Sequence, residues 1–151
     1  MKYIIDLHCH TLASGHAYST LQENARAAAD KGLKYIGVSD HGPALPGAPH
    51  IYHLLNLKIL PKEIYGVGIL KGVEANILDF NGNLDISNKD LTMLNYVIAS
   101  IHPPCFKSGT IEENTNAVIN AMKNPYVKII GHPDDGRLPL NYEVIVKTAK
   151  E

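Results

Sequence analysis

The chain has 151 residues, and its 14 Lys and Arg residues nearly balance its 15 Asp and Glu residues, which gives a formal net charge of −1. This balance argues against a nucleic-acid-binding protein, because such proteins carry basic patches. The content of 45% hydrophobic and 19% charged residues is that of a globular domain and excludes disorder over most of the chain. The sequence contains neither an apolar run of about 20 residues nor a signal-peptide pattern, so it predicts a cytoplasmic protein that does not enter a membrane.

Five apolar runs predict strands at residues 2–7, 35–39, 68–73, 96–101 and 127–131. Between them, capping patterns predict helices. Ser19 with Gln22 opens a helix over 20–31, and Thr110 with Glu113 opens one that runs to residue 123. Ser87 with Asp90 opens a short helix, and the last helix begins near Asn141.

Two other segments have clear signals. A stretch over 43–66 is punctuated by Pro and Gly, which leaves room for one short helix at 50–57. Asn81-Gly82 lies between apolar residues and predicts a small β-hairpin. The last helical pattern still runs at Glu151 without a stop signal, so we expect a single domain over 1–151 that is cut inside a βα unit.

Histidine is unusually frequent, with eight residues, and it is the commonest metal ligand in proteins. The two cysteines, Cys9 and Cys105, are expected to be reduced thiols without a redox role. The composition therefore directs attention to a histidine-based site.

Candidate metal ligands come directly after each predicted strand. Strands that alternate with helices form a parallel sheet, in which all carboxyl ends lie at the same edge. We therefore expect these side chains to converge on one face, although they are spread over most of the chain. They are His8, His10, His41, Glu74, His102 and His132.

The spacing of His8 and His10 adds a second argument. Side chains alternate along a strand, so both imidazoles point the same way and Cys9 points away. Zinc accepts imidazole nitrogen and carboxylate oxygen, and the two oxygens of Glu74 can bridge two cations. Six candidate ligands are more than one tetrahedral ion can bind, so the sequence predicts a cluster of at least two metal ions. A single histidine at a strand end before proline, such as His102, is more often an ordinary loop residue. The succession of five strand ends that carry His or Glu favours metal binding.

Other polar residues are candidates for supporting roles. His16, in the loop after the first strand, is a further candidate ligand, although a surface histidine has the same pattern. Asp6 shares a strand face with His8 and could orient a ligand imidazole, as could Asp40 beside His41. Either aspartate could instead cap backbone amides.

Two residues are candidates for binding substrate. Arg137 follows the last predicted strand and could hold a phosphate through two hydrogen bonds, although an exposed loop arginine is commoner. His50 lies three residues before His53, so the two share a face if the segment is helical. That face suits either a substrate-facing pair or plain surface.

An ordered set of motifs resembles the PHP (polymerase and histidinol phosphatase) superfamily over nearly the whole chain. The motifs are Asp6-Leu7-His8-Cys9-His10-Thr11, Asp40-His41-Gly42, Gly72-Val73-Glu74, His102-Pro103 and His132-Pro133. Within the superfamily, the segments at 16–20, 48–50 and 72–77 are similar to the YcdX-type phosphatases.

The resemblance implies a distorted TIM-like (β/α)7 barrel with three metals, usually zinc and sometimes manganese or iron, that hydrolyses phosphate monoesters. It assigns one metal to His8, His10 and Glu74, a second to Glu74, His102 and His132, and part of a third to His16 and His41. The nucleophile would be a metal-activated hydroxide, so no side chain is expected to act as catalytic nucleophile.

The chain departs from the family pattern in one respect. Family members carry a late Asp-x-His, and nothing after His132 supplies it. We therefore expect an incomplete barrel of about five βα units, in agreement with the uncapped last helix. An open barrel exposes strand edges and apolar side chains, so we expect the chain to associate with itself or with another chain, or to be only marginally stable.

The sequence thus predicts a metal-dependent phosphatase that acts on a small phosphorylated substrate and binds neither nucleic acid nor membrane. Two alternatives stay open: a catalytically silent metal- or partner-binding fragment, and a histidinol-phosphate phosphatase. The physiological substrate has no readable motif.

Overall fold

The computed structural model describes residues 3–150. The strands are β1 (Ile5–Cys9), β2 (Tyr35–Val38), β3 (Glu63–Ile64), β4 (Val67–Asn76), β5 (Tyr96–Ser100) and β6 (Val127–Ile130). The helices are α1 (Leu21–Asp30), α2 (Ile51–Asn56), α3 (Asn88–Leu91), α4 (Ile111–Met122) and α5 (Tyr142–Thr148). Short 3₁₀ turns cover Leu12–Ser14 and Leu57–Ile59.

Five of the strands form a parallel sheet in the order β1-β2-β4-β5-β6, and β3 pairs antiparallel with β4. The sheet curls into a half-barrel with the helices outside it, which confirms the predicted incomplete TIM-like α/β fold. The antiparallel β3 was not predicted, because a two-residue strand leaves no periodic pattern.

The core lies between the sheet and its helices. β5 is buried along its whole length, as is the second half of β4. Gly72 of β4 leaves the space that the Tyr96 ring occupies, because a Cβ at this position would lie 2.3 Å from the Tyr96 Cζ. The Tyr96 hydroxyl crosses the sheet to donate a 2.6 Å hydrogen bond to the Leu7 carbonyl. This contact ties β5 to β1.

The capping pattern of α1 differs from the prediction by one residue. Thr20, rather than Ser19, is the N-cap, and its side chain accepts from the Glu23 amide while the Glu23 carboxylate accepts from the Thr20 amide. The sequence contains two overlapping capping boxes, and the one with a carboxylate is formed, because a charged acceptor makes the stronger hydrogen bond. The predicted box of Thr110 and Glu113 at α4 is confirmed.

Several boundaries also differ. β1 extends to Cys9 and β4 to Asn76, so His8 and Glu74 lie within strands. The predicted turn at Asn81-Gly82 is confirmed, but it carries only a single bridge between Ile77 and Leu84.

The last helix begins after Asn141 as predicted, since the Asn141 side chain accepts from the Val144 amide. It ends at Thr148, after which the Lys150 amide turns back to the Lys147 carbonyl. Residue 2, which belongs to the first predicted strand, and residue 151, which belongs to the last helical pattern, lie outside the described range, as does residue 1.

No helix among residues 3–150 is long and apolar enough to cross a membrane. The cytoplasmic location stays a prediction.

Candidate metal centre

All seven predicted ligands line one open cleft of about 740 Å³ at the carboxyl edge of the sheet. Six come from positions at or just after the ends of parallel strands, as the spacing predicted. The seventh comes from the loop between β1 and α1. In chain order they are His8, His10, His16, His41, Glu74, His102 and His132.

Glu74 is the centre of the cluster and is fully buried. Its Oε2 lies 3.2 Å from the Nε2 atoms of both His8 and His10, and 3.0 Å from the Nδ1 of His41. Its Oε1 lies 2.8 Å from the Nε2 of His132 and 3.4 Å from that of His102. One carboxylate therefore contacts five imidazoles, with three on one oxygen and two on the other.

The ring nitrogens that face away from the cleft fix the tautomers of two of the six imidazoles in the cleft. The Nδ1 of His102 lies 2.7 Å from Oδ1 of Asn76, whose amide nitrogen donates to Asp85 and Gly42, so His102 must be the donor. The Nδ1 of His16 lies 3.0 Å from the Ser14 carbonyl, which can only accept. Both rings therefore present an unprotonated Nε2 to the cleft when they are neutral.

Without a cation, this arrangement leaves polar atoms unsatisfied. Oε2 of Glu74 and Nδ1 of His41 are buried and lack a hydrogen-bond partner among the described residues, although they are only 3.0 Å apart. The Nε2 atoms of His16 and His41 face each other at 3.4 Å. Nitrogen lone pairs that crowd a carboxylate oxygen repel it unless a positive ion lies between them. The residues present therefore fit bound metal.

Protonation of the whole cluster is an inferior way to satisfy these atoms. Burial lowers the pKa of His41, the neighbouring His10 and His102 lower it further, and together they outweigh the attraction of Glu74. The hydrogen bond from His132 to Glu74 raises the pKa of His132, which is more exposed than His41. Burial opposes ionisation of Glu74, but the surrounding imidazoles hold its pKa well below the usual range. An ionised Glu74 beside a His41 that resists protonation matches the state in which these two groups bind metal ions.

The ligand atoms fall into three groups, within each of which they lie no more than 4.8 Å apart. One group joins Glu74 with His8 and His132, and the second joins it with His41 and His102. The third contains His10, His16 and His41. These groups contain the same seven residues as the resemblance implies. They link His8 with His132 and His10 with His16 and His41, while the equal 3.2 Å distances of His8 and His10 from Oε2 of Glu74 also agree with the implied set of His8, His10 and Glu74.

His16 reaches the cluster because its loop folds tightly. Gly15 precedes it with φ of +76°, a conformation that residues with a Cβ rarely adopt. A Cβ on Gly15 would also lie 2.4 Å from the Gly47 carbonyl oxygen, so the loop packs directly on the segment before α2.

Asp40 lies behind the cluster and is fully buried. Its carboxylate accepts from the Thr11 amide at 2.7 Å, the Thr11 hydroxyl at 2.8 Å and the Ser14 hydroxyl at 2.7 Å. Burial alone would raise the pKa of Asp40, but these hydrogen bonds and one from His53 lower it to about 2. Asp40 therefore contacts ligand histidines only through Ser14.

Asp6 does not reach a ligand imidazole in this structure. Its carboxylate accepts from the backbone amide of His8, and it lies with Cys9 in a small pocket against α1. The strand contains a register shift between Asp6 and Cys9, which places one extra residue against β2. This shift breaks the alternation on which the shared face of Asp6 and His8 rested.

The two predicted substrate-binding residues are placed differently. Arg137 lines the mouth of the cleft, where it forms an ion pair with Asp135 through Nε and Nη2, the shorter contact being 2.6 Å. His50 does not line the cleft. It is the N-cap of α2, and its ring accepts from the Tyr52 amide.

Sequence reasoning missed the residues that hold the ligands from behind. Ser100 donates to Oε1 of Glu74 at 2.7 Å, and Asn76 binds His102. Asn76 lies two positions after Glu74 on β4, and Ser100 lies two positions before His102 at the end of β5, so strand alternation could have identified them. His53, treated as surface, lies 3.3 Å from Asp40, and no local pattern indicated that contact.

Comparison with known families agrees with this geometry. The PHP domain family profile matches residues 6–145. Because the match covers almost the whole chain, the protein belongs to the PHP domain family, as the motifs indicated.

Curated relatives carry a related name. A protein of Clostridium novyi named as a probable phosphatase is 55% identical over 151 residues, and the chain covers 62% of it. Proteins with the same designation in Acetivibrio thermocellus and Caldanaerobacter subterraneus subsp. tengcongensis are 52% and 53% identical, and the chain covers 63% and 60% of them. In each case the whole of this chain is matched. The chain therefore spans about three fifths of the length of these relatives.

Proposed function

We propose that the protein is a metal-dependent phosphatase that hydrolyses small phosphate monoesters at the histidine and Glu74 cluster. The observation that carries the proposal is the convergence of six imidazoles around a buried carboxylate whose Oε2 has no hydrogen-bond partner among the described residues. The relatives' designation as phosphatases supports the same reaction class.

The three ligand groups could hold two or three cations, with zinc favoured and manganese or iron as alternatives. Each group offers three protein ligands, the number that catalytic zinc sites use while they keep a position open for water or substrate. Bound cations would supply a water of lowered pKa and would neutralise the phosphate oxygens.

The chain's own residues position and bind rather than attack. The hydroxyls of Ser14 and Ser100 both donate to carboxylates, so neither is placed as a nucleophile. The Cys9 thiol lies against α1, and burial raises its pKa to about 12. A substrate phosphate at the mouth of the cleft could compete with Asp135 for the Arg137 guanidinium, which is suited to two parallel hydrogen bonds.

The test begins with elemental analysis of the purified protein, followed by chelator treatment and reconstitution with zinc, manganese or ferrous iron. We expect two or more metal equivalents per chain and metal-dependent hydrolysis of p-nitrophenyl phosphate. Binding without turnover would support the silent metal-binding alternative. A strong preference for histidinol phosphate in a panel of phosphate monoesters would support the second alternative.

A further inference from the structure

Behind the ligand cluster, a buried hydrogen-bond network connects Asp40 to two ligand histidines. The Asp40 carboxylate accepts from Thr11, from the Ser14 hydroxyl and from Nε2 of His53. Ser14 is itself only 1% exposed. The polar side-chain atoms of Asp40 and Ser14 must therefore find their partners within the protein.

The Ser14 hydroxyl has one proton to donate, and its direction is determined. At neutral pH an aspartate carboxylate can only accept, so the Ser14 proton points to Oδ1 of Asp40 at 2.7 Å. The two lone pairs of the hydroxyl then accept. One faces the His41 backbone amide at 3.2 Å, and the other faces Nδ1 of His10 at 3.1 Å.

We infer that Ser14, oriented by Asp40, is a positioning residue that holds His10 in the tautomer protonated at Nδ1. Because the hydroxyl has no second proton, the Nδ1 of His10 must donate. The Nε2 of His10 then carries a lone pair, and this atom lies 3.2 Å from Oε2 of Glu74. An imidazole that binds a metal through Nε2 must carry its proton at Nδ1, and this is the tautomer that Ser14 favours.

The same network attaches the wall of the cleft to its ligands. His53 belongs to α2, and its Nε2 lies 3.3 Å from Oδ2 of Asp40. The loop that leads into α2 supplies Leu45 and Pro46 to the cleft wall. Asp40 therefore joins three segments, namely the turn after β1, the end of β2 and the start of α2.

The inference deepens the proposed function and rests on it only in taking His10 as a ligand. Its primary readout needs no catalysis. In the zinc-loaded protein, where a cation separates the Nε2 of His10 from Glu74, long-range ¹⁵N–¹H correlation spectra distinguish an Nδ1–H from an Nε2–H imidazole. We expect His10 to be the Nδ1–H tautomer in the parent protein and to lose that preference in Ser14→Ala.

Zinc affinity is the second readout, measured by competition with a colorimetric chelator. We expect Ser14→Ala to weaken zinc binding about 10- to 100-fold, the range typical when the partner of a ligand histidine is removed. Ser14→Thr retains a hydroxyl and should recover both the tautomer and the affinity. Ser87→Ala removes the N-cap hydroxyl of α3, which does not line the cleft, and should leave zinc affinity unchanged.

An unchanged His10 tautomer together with zinc affinity within twofold of the parent would overturn the inference. If Ser14→Ala does not fold, Ser14→Cys provides the same comparison with a side chain that fills the site but bonds weakly. Absence of hydrolysis by a parent protein that binds zinc would count against the proposed function alone, since the tautomer is read without substrate.

Discussion

Glu74 is the residue on which the cluster depends most, because both of its oxygens face imidazole nitrogens. In Glu74→Gln, an NH₂ group replaces one carboxylate oxygen, and the negative charge that attracts cations is lost. We expect the metal content to fall by at least one equivalent and kcat/KM to drop by at least about 100-fold. Elemental analysis and phosphatase assays measure the two effects.

Glu113→Gln is the matched control for this change. Glu113 is exposed and caps α4, away from the cleft. The control should retain metal and activity with a small loss of helix stability. Equal metal content in Glu74→Gln and the parent would show that Glu74 is not a ligand.

Asp40 should make the stability of the metal-free protein depend on pH in the acid range. Its pKa is about 2 in the folded protein and 3.8 by reference when unfolded. A depressed folded pKa stabilises the protein above the unfolded pKa, and this contribution is lost as the pH falls from about 4 to 2. For a fully buried group the contribution is on the order of 2 kcal/mol.

Urea unfolding of the metal-free protein between pH 5 and pH 2 measures this contribution. The free-energy gap between the parent and Asp40→Asn should shrink as the pH falls. Asp135→Asn is the comparison, because the pKa of Asp135 is also lowered to about 2, by Arg137, but the pair lies at the surface. Salt should screen the Asp135 effect more strongly. A gap for Asp40→Asn that does not change with pH would contradict the prediction.

At the residue scale, the sequence could predict which side chains meet but not all of their partners. The positions of His102 and His132 directly after predicted strands were sufficient to place both side chains in the cleft, since a parallel sheet brings its strand ends together. Asp6 was misplaced because one extra residue in β1 reverses the face on which it lies. His53 reaches Asp40 through tertiary packing of α2, and no spacing rule reports such a contact.

Among the elements, β4 and β5 form the centre of the sheet and depend on one close contact. An alanine at Gly72 would place a methyl group within 2.3 to 2.7 Å of three carbons of the Tyr96 ring. We expect Gly72→Ala to destabilise the protein by about 1–3 kcal/mol, because a buried ring must move to make room. Gly136→Ala, where a Cβ meets nothing within 4 Å, should be nearly neutral. Thermal unfolding of both variants checks the pair, and equal melting temperatures would contradict it.

The helix α4 is fixed at its start by a buried asparagine. The Asn114 side chain accepts from the Gly109 amide at 2.8 Å and donates to Ser108 and to the Pro139 carbonyl. Asn114→Ala should cost about 1–3 kcal/mol or more, since it leaves buried polar groups without partners. Asn116→Ala lies on the exposed side of the same helix and should change stability by less than about 0.5 kcal/mol. Chemical denaturation distinguishes the two, and similar losses would argue against a role for the Asn114 contacts.

The elements themselves could be predicted more reliably than their ends. Alternating apolar runs and capping boxes identified the five parallel strands and the helices between them. Ends depend on hydrogen bonds that the local pattern does not record. β4 continues to Asn76 because it pairs with β5 as far as Ser100, which keeps Glu74 inside the strand. Whether Ser19 or Thr20 caps α1 depended on the side chain three residues later, which is Gln22 for Ser19 and Glu23 for Thr20.

For the whole molecule, the half-barrel shape has two consequences that oppose each other. Curling the sheet brings the strand ends together and assembles the cleft. As a result, His8 of β1 and His132, just after β6, both contact Glu74. The same shape leaves one side of β1 and one side of β6 without a strand partner among residues 3–150. The cleft and the two open sheet edges therefore both result from the curled, unclosed sheet.

Self-association through these edges is the expectation that applies to the whole molecule. β1 pairs only with β2 in the described structure, and Ile5 in β1 is 40% exposed. Unpaired edges with apolar side chains favour pairing with a second copy of the chain. Sedimentation velocity over a range of concentrations should therefore show a rising average mass. Ile5→Lys should shift the protein toward monomer, because a charge on an edge strand disfavours pairing, whereas Ile111→Lys on exposed α4 should not. A single monomeric species at every concentration would refute edge pairing and would mean that the side chains at the edges protect them.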